Sequence, residues 1–515
     1  MRILSAEQMR IVDAAACSRV GDVTLMRAAG VALSRIIPAH VHRVITFAGS
    51  GNNGGDGFAA LAELDKRIER IVYAMPTSRP STARTDAELR ALASGVTIRP
   101  LPLTLPEAQE ALAGVDIALD ALLGVGTHSV PKPVFHPAIT ALCEVKRATR
   151  VIAVDLPTGV DPTTGRCAPT TVRADLTLTL GVPKLGLFFE PARSFVGELR
   201  VGHLPMEEEI AEGGEPSFDV LTASEFLHLI PRRPAFAEKR TAGVPLIIAG
   251  SAQFPGAAVL CARAAARSGA GYVTVATPIE AAALLRGHLV EQVVVSYDPR
   301  DTEGSIHTLT ELLKRAGSLA IGPGLNLDLA EGEILRGVIT RTTLPLVLDA
   351  GAFSHLAGHL ELLREKRCVL TPHDGEFARL SGEGPIAEGT RLTRLRSFVE
   401  RTGIVTLLKG ATTLIDDGKT THVNSSATQA LATAGTGDVL TGMIATLLSQ
   451  GLTPVDAARV AAHWHGLAGR ACTTHRPIGV IAGDVADILG AALATEFGET
   501  DESLIMRAAL RGNAL

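Results

Sequence analysis

The residues best suited to chemistry are Gly435-Thr436-Gly437-Asp438, which run directly into the apolar stretch Val439–Leu448. That stretch reads as a helix. A Gly-Thr-Gly backbone can approach an anion closely and aim several N–H groups at it, and the helix N-terminus adds partial positive charge. A carboxylate beside a phosphate is repulsive, so Asp438 is placed for use: it is a candidate general base that takes a hydroxyl proton as the oxygen attacks a phosphoryl group. Taken alone, the same four residues equally describe a glycine turn with an aspartate capping a helix. Four further polar or glycine turns, each after an apolar run, change the balance. They are Lys409-Gly410-Ala411-Thr412-Thr413 after Ile404–Leu408, and Thr371-Pro372-His373-Asp374-Gly375-Glu376 after Cys368–Leu370. The others are Gly322-Pro323-Gly324-Leu325 after Leu319–Ile321, and Gly250-Ser251 with Phe254-Pro255-Gly256-Ala257-Ala258 after Leu246–Ala249. In an open parallel sheet, ligands bind outside the carboxyl ends of the strands. Five such turns on one edge describe a phosphoryl-transfer site.

A second constellation lies in the first half. Gly49-Ser50-Gly51-Asn52-Asn53-Gly54-Gly55-Asp56-Gly57 follows Val44–Ala48 and precedes the helical-looking Phe58–Leu64. Its amides can meet a phosphate or another anion. It is not the Gly-x-Gly-x-x-Gly pattern, so dinucleotide binding by that motif is not expected. Asp120-Ala121-Leu122-Leu123-Gly124-Val125-Gly126 and Asp155-Leu156-Pro157-Thr158-Gly159 end two further strand-like runs. One acid at a strand end is commonly a helix cap. Three such ends in one domain argue for a site, and their Asn, Asp and Thr oxygens could together hold a hard cation.

The elements that must position these residues alternate between short apolar runs and Ala/Leu/Glu/Arg segments. The strand-like runs of the first half are Arg43–Ala48, Ile71–Ala74, Asp116–Asp120, Val151–Asp155 and Leu176–Leu180. Those of the second half are Val244–Ala249, Tyr272–Ala276, Val293–Ser296, Leu319–Ile321, Leu346–Asp349, Val369–Thr371 and Val405–Leu408. This rhythm predicts mostly parallel α/β sheets. It breaks at Met206–Phe218, an acidic and then Gly/Pro-containing piece read as a linker. The tail after about Phe497 has no clear pattern.

Bulk properties agree. The 515 residues exceed the roughly 100–200 of one domain, and a 46% hydrophobic fraction suffices for two large cores. The net charge of -5 comes with no basic block, which argues against nucleic acid. No run approaches the roughly 18 apolar residues of a membrane helix, and the start MRILSAEQMRIVD is not a signal peptide. Cys17, Cys143, Cys167, Cys261, Cys368 and Cys472 are widely spaced and read as isolated core thiols. A cytoplasmic enzyme is expected.

Over about residues 221–495, the motifs GSAQFPGAA, IGPGL, TPHDGE, LLKGATT and ATAGTGDVLTG resemble, in order, those of the ribokinase-like superfamily. Within it they resemble the ADP/ATP-dependent NAD(P)H-hydrate dehydratases. GTGD marks only the superfamily; TPHxGE with KGxxT and GPGL is far more specific. The resemblance implies that Ala257, Gly324, His373 and Asp438 hold the hydrated nicotinamide nucleotide, with Asp438 catalytic. It implies that Lys409, Gly410, Ala411, Thr412, Thr413 and Gly437 face the phosphates of ADP or ATP, with Mg²⁺. His463 and His465, in HWHGLAG, read as structural or supporting. One departure is Asp349-Ala350-Gly351-Ala352, where the family repeats the acid as Asp-Ala-Asp-Ala; Asp349 is the acid that remains.

Over about residues 1–212, LSAEQMRIVD, GNNGGDG, DALLGVG, VDLPTGVD and ADLTLTLGVPKLG resemble the NAD(P)H-hydrate epimerases. The resemblance implies substrate binding by Asn52, Asn53, Gly54, Gly55, Asp56, Gly124, Val125, Gly126, Thr127, His128, Ser129, Val130 and Asp155. It implies a K⁺ site at Asn53, Asp120 and Thr158, and Asp155 as the catalytic acid/base. Three departures stand out: Thr158 replaces the family's serine, Val125 replaces the threonine of Gly-Thr-Gly, and Arg27 replaces the glutamate of Leu-Met-Glu. The expected architecture is therefore a Rossmann-like three-layer domain over 1–212 and a ribokinase-like three-layer α/β domain over 221–500. The expected enzyme epimerises NADHX and NADPHX and dehydrates the S form at the expense of ADP or ATP. A homo-oligomer is expected. The alternative is a ribokinase-type small-molecule kinase fused to a non-catalytic Rossmann-like module.

Overall fold

The computed structural model describes all residues except 127–129, 146–147, 212–213, 215–216, 234–235, 388, 476–477 and 495–515. The chain divides after Phe218 into two compact units.

In the first unit, seven strands form one parallel sheet: β1 Arg43–Ala48, β2 Glu69–Ala74, β3 Thr97–Pro100, β4 Ile117–Ala121, β5 Arg150–Val154, β6 Leu176–Leu180 and β7 Glu198–Gly202. Their order is β3-β2-β1-β4-β5-β6-β7. Alternation along β1 shows why the sheet is covered twice. Val44 and Ala48 face a cluster with Met26, Leu33, Phe58, Leu61 and Ala87. Ile45 and Phe47 face another with Tyr73, Leu112, Ile139 and Leu142. The order reverses between β1 and β4, so a crevice opens outside their carboxyl ends. The Gly49–Gly57 segment and Asp120 lie there.

In the second unit the strands are β8 Pro245–Ile248, β9 Thr274–Pro278, β10 Val293–Tyr297, β11 Ser318–Ile321, β12 Leu346–Leu348, β13 Cys368–Leu370, β14 Val405–Leu408, β15 Thr413–Asp416 and β16 Thr420–Asn424. Their order is β16-β15-β14-β13-β12-β11-β8-β9-β10. Pairing is parallel from β10 to β14 and antiparallel through β15 and β16. The reversal falls between β8 and β11. Helices Pro255–Arg267, Thr436–Ser449, Pro454–His475 and Ala482–Ala492 share one core with this sheet. Among the described residues, no helix is long and apolar enough to cross a membrane.

The α/β expectation holds in both units, and several local readings change. Met206–Phe218 is more than a linker: Glu207–Ala211 is helical, Met206 is fully buried, and Glu209 pairs with Arg19 at 2.5 Å. Cys17 and Cys143 are exposed and Cys167 half-buried, so only Cys261, Cys368 and Cys472 are core thiols. The helix expected over Phe58–Leu64 starts at Asn52, inside the glycine-rich segment. Strand β3 is short and mostly exposed, and β7 carries Glu198 and Arg200; neither has an apolar run to reveal it.

Candidate active sites

In the second unit, Gly435 sits at φ +91 just before helix Thr436–Ser449, and a Cβ there would lie 2.6 Å from Leu260 Cδ1. Only glycine meets both demands. Gly442 lets this helix cross Pro255–Arg267 closely, since a Cβ there would approach Cys261 O to 2.1 Å. Thr436 Oγ1 donates to Leu431 O (2.8 Å) and Thr433 O (2.9 Å), fixing the turn before Gly437 and Asp438.

Asp438 shares its surroundings with Asp349, Glu376 and Lys409. Lys409 Nζ donates to Asp349 Oδ1 (2.8 Å) and stands 3.7 Å from Glu376 Oε2. Thr441 Oγ1 donates to Asp349 Oδ2 (2.7 Å). Three carboxyls thus face one ammonium. Burial first, and then the charge of Asp349, push the Asp438 carboxyl up to about 7; Lys409 opposes this and Glu376 adds to it. Burial pulls Lys409 down, but Asp349 and Glu376 outweigh it and hold the amine above its usual value. A carboxyl poised near neutrality in the first turn of a helix suits a general base. Asp349 has both oxygens engaged. At Gly351, the departure from the family pattern, a Cβ would meet Gly322 O at 3.1 Å, so little space is left for a side chain.

His373 caps helix Asp374–Ser381: its Nδ1 accepts from Gly375 N (3.0 Å), and Glu376 Oε2 accepts from His373 N (2.8 Å). With Nδ1 an acceptor, neutral His373 carries its proton on Nε2. A backbone bridge pairs His373 with Lys409. Gly324 is at φ +69, where a Cβ would lie 2.9 Å from Ala257 Cβ. The structure therefore brings Ala257 beside Gly324, and Lys409 beside His373, Asp349 and Gly437. Arg391 braces Lys409–Thr413 from beneath, donating to Lys409 O (2.8 Å), Thr412 O (2.9 Å) and Asp374 Oδ1 (2.9 Å). His463 packs on Phe226 at 4.8 Å, and burial lowers it to about 3. His465 is lowered to about 4 by burial and by Lys409.

In the first unit, a cavity of 490 Å³ is lined by Arg10, Asp13, residues 50–53, Asp56, residues 122–126 and Asp155. Asp155 leaves β5 at φ +71, in the left-handed region. Its Oδ1 accepts from Leu180 N (2.9 Å) and from the ammonium of Lys184, which also donates to Leu180 O (2.8 Å). Both partners are buried. Arg84 holds the glycine-rich turn from below, donating to Gly49 O (2.6 Å) and Gly51 O (3.0 Å). Gly54 and Gly55 lie under the turn rather than on the cavity wall. A Cβ would strike Gly49 O at 2.2 Å from Gly54, and Met26 Cε at 2.6 Å from Gly55.

Asp120 is fully buried, and burial pushes it up to about 6, although it accepts from Thr158 Oγ1 (2.7 Å), Thr158 N (2.8 Å) and Leu122 N. Leu123 links this group to Asn53: its N–H donates to Thr158 Oγ1 (3.1 Å) and its carbonyl accepts from Asn53 Nδ2 (3.0 Å). Asn53 Oδ1 is buried and has no hydrogen-bond partner among the described residues. Gly124 and Val130 line an adjoining cavity of 310 Å³. Thr127, His128 and Ser129 lie outside the described residues. The charge of Arg27 is absorbed by Asp86 at 2.7 Å.

Sequence reading did not single out Asp13, Lys184, Arg84, Arg391 or the role of Glu376. Asp13, Lys184 and Glu376 stand inside the motifs LSAEQMRIVD, ADLTLTLGVPKLG and TPHDGE; the two arginines act through contacts more than 15 residues distant, for which no local pattern exists.

A family model described as NAD(P)H-hydrate dehydratase matches residues 245–490, and one described as YjeF-related protein N-terminus matches residues 23–186. A bifunctional NAD(P)H-hydrate repair enzyme of Moorella thermoacetica is 34% identical, with 95% of this chain and 96% of that protein covered. One from Salinibacter ruber is also 34% identical, with 96% and 97% covered. A solved structure of an ADP/ATP-dependent NAD(P)H-hydrate dehydratase from Bacillus subtilis is 31% identical, covering 54% of this chain and 98% of that one, with a TM-score of 0.49. Similarity along nearly the full length places this chain in the family of bifunctional NAD(P)H-hydrate repair enzymes.

Proposed function

We propose that the part spanning residues 221–500 dehydrates (S)-NAD(P)H hydrate with consumption of ADP or ATP, and that residues 1–212 interconvert the two C6 epimers. The observation that carries the first half is Asp438 in the opening turn of Thr436–Ser449, surrounded by Asp349, Glu376 and Lys409. Hydroxide is a poor leaving group and phosphate a good one. As the C6 oxygen attacks the terminal phosphoryl, Asp438 takes the hydroxyl proton and AMP (from ADP) departs. The Gly435–Gly437 amides and Lys409 balance the charge that develops. The ring nitrogen then expels phosphate, and loss of a C5 proton restores the dihydropyridine. Among the described residues, no three His, Cys, Asp or Glu side chains gather as a metal cage. Mg²⁺ would enter on the nucleotide phosphates, whose charge it neutralises, and no residue here is assigned to it.

In the epimerase part, Asp155 acts at the C6 oxygen, held in place by Lys184 and Leu180 N. The unpartnered Asn53 Oδ1, the buried Asp120 carboxylate and the Thr158 hydroxyl fit K⁺, which prefers oxygen donors and would offset the buried charge. Incubation of mixed NADHX epimers with the protein, Mg²⁺ and ADP tests the whole reading. Complete recovery of NADH absorbance is expected. Recovery that stalls at the S fraction removes the epimerase, and no recovery with either ADP or ATP removes the dehydratase.

A further inference from the structure

The epimerase cavity holds more acid than one proton relay needs. Asp13, from helix Ala6–Val20, lines it together with Asp56 and Asp155. Among the described residues, the hydrogen bonds to the Asp155 carboxylate fall on Oδ1, from Lys184, Leu180 and Thr179, which leaves Oδ2 for the cavity. Asp13 is different: its carboxyl makes no hydrogen bond or ion pair to any described residue, although it is half-buried beside the Lys184–Asp155 pair. Its carboxyl opens onto the cavity, where a ligand can meet it.

Resting on the epimerase reading above, we propose that Asp13 is a second catalytic carboxyl: it protonates the departing C6 oxygen on one face of the ring, while Asp155 takes the proton of the water that returns on the other. Inversion at C6 needs a proton donor and a proton acceptor, and these two groups reach one cavity from separate elements. The N1 lone pair forms the N1=C6 bond as the C6–O bond breaks, and the Asp13 proton leaves with the oxygen as water. A water oxygen then bonds to C6 from the opposite face, the N1=C6 pair returns to N1, and the water's proton passes to Asp155. Asp13 ends ionised and Asp155 protonated, which is the form that converts the other epimer.

The electrostatics fit these roles. Burial raises Asp13 to about 6, with Lys184 opposing and Asp155 reinforcing the shift. Asp56 is pushed well above its ordinary range by burial, with Asp155 and Asp13 reinforcing the shift and Lys184 opposing it. The groups facing Asp13 are Lys184, Asp155, Asp56, Arg10 and Cys17.

The test uses full-length protein and resolved epimers of NADHX, with no nucleotide present, over pH 5–9. Wild type should lose rate in both directions as pH rises through about 6, because both draw on the enzyme form that carries the one proton Asp13 supplies. Asp13→Asn should lose about 100-fold or more in kcat, with little change in KM, and lose that alkaline limb. Asp13→Glu should keep the limb at reduced rate. If Asp13→Asn retains the wild-type rate and limb while Asp155→Asn is inactive, Asp155 works alone and the proposal fails with the epimerase intact. If both Asn variants retain wild-type rates, the epimerase reading itself fails. Should Asp13→Asn not fold, Asp13→Glu decides: an alkaline limb at wild-type position and rate overturns the proposal, and a displaced limb with a lower rate supports it.

Discussion

Asp438→Asn should make the second unit more stable while stopping its chemistry. Around Asp438, three carboxyls share one ammonium, so the last carboxyl to ionise does so against net negative charge in a desolvated pocket. Its pKa rises from 3.8 to about 7. The folded state thus binds this proton more tightly than the unfolded chain. The stability it contributes is complete below pH 4 and is lost as pH rises toward 7. At about 1.36 kcal/mol per unit, some 3 units give an upper value of about 4 kcal/mol. Asparagine has the same shape and no charge, so it escapes that loss. At roughly 2–4 °C per kcal/mol for a unit of this size, the variant should melt several degrees above wild type at pH 8, with the gap closing by pH 4. Scanning calorimetry of both full-length proteins at the two pH values, following the transition of the second unit, measures it. Dehydration should fall by about 100- to 10,000-fold. A variant that melts at or below wild type at pH 8, or gains equally at both pH values, refutes the electrostatic argument; retained activity refutes the base.

Three other outcomes are expected. Lys409→Met leaves the buried Asp349 carboxylate without its cation and should cost about 3–5 kcal/mol, read as a lower melting temperature together with a raised KM for ADP; an unchanged melt counts against the pair. Arg84→Met removes the donor to Gly49 O and Gly51 O, at about 1.5–3 kcal/mol per charged hydrogen bond, so epimerisation should slow as the turn loosens, and wild-type kinetics would leave Arg84 with no part in shaping it. Epimer exchange should be faster in KCl than in choline chloride, and Asn53→Ala should abolish the difference; a salt effect that survives the substitution would place the cation elsewhere.

Much of this was legible because the chemistry lies at strand ends. The turns at Lys409, His373 and Gly324 each follow an apolar run, and the parallel sheet gathers those ends on one edge; Gly435 is legible from the apolar helix that it opens. The β15–β16 hairpin was legible too, through Asp417-Gly418 between alternating residues, although no reading used it. Other features were hidden by their nature. Gly54, Gly55 and Gly57 look like a phosphate cradle, yet their missing Cβ atoms let helix Asn52–Glu63 lie against Gly49 O, Met26 and Thr46. Arg84 sits in TARTDAELR, which reads as a solvated helix face; its burial depends on carbonyls 33 and 35 residues away. The shift of Asp438 needs three other charged side chains brought from separate strands and helices.

The left-handed backbone at Asp155 has a consequence for how this enzyme would decay over generations. Holding a side chain at φ +71 costs about 1–2 kcal/mol that glycine would not incur. Only selection for the carboxylate keeps an acid there. In descendants freed from epimerisation, drift toward stability should replace Asp155 by Gly, or by Asn, which also tolerates that conformation. Lys184 would then be a buried cation without its hydrogen-bonded carboxylate and should be exchanged for an apolar residue soon after. Paired loss at these two positions would therefore mark lineages in which the first unit persists as a scaffold after its reaction has been abandoned.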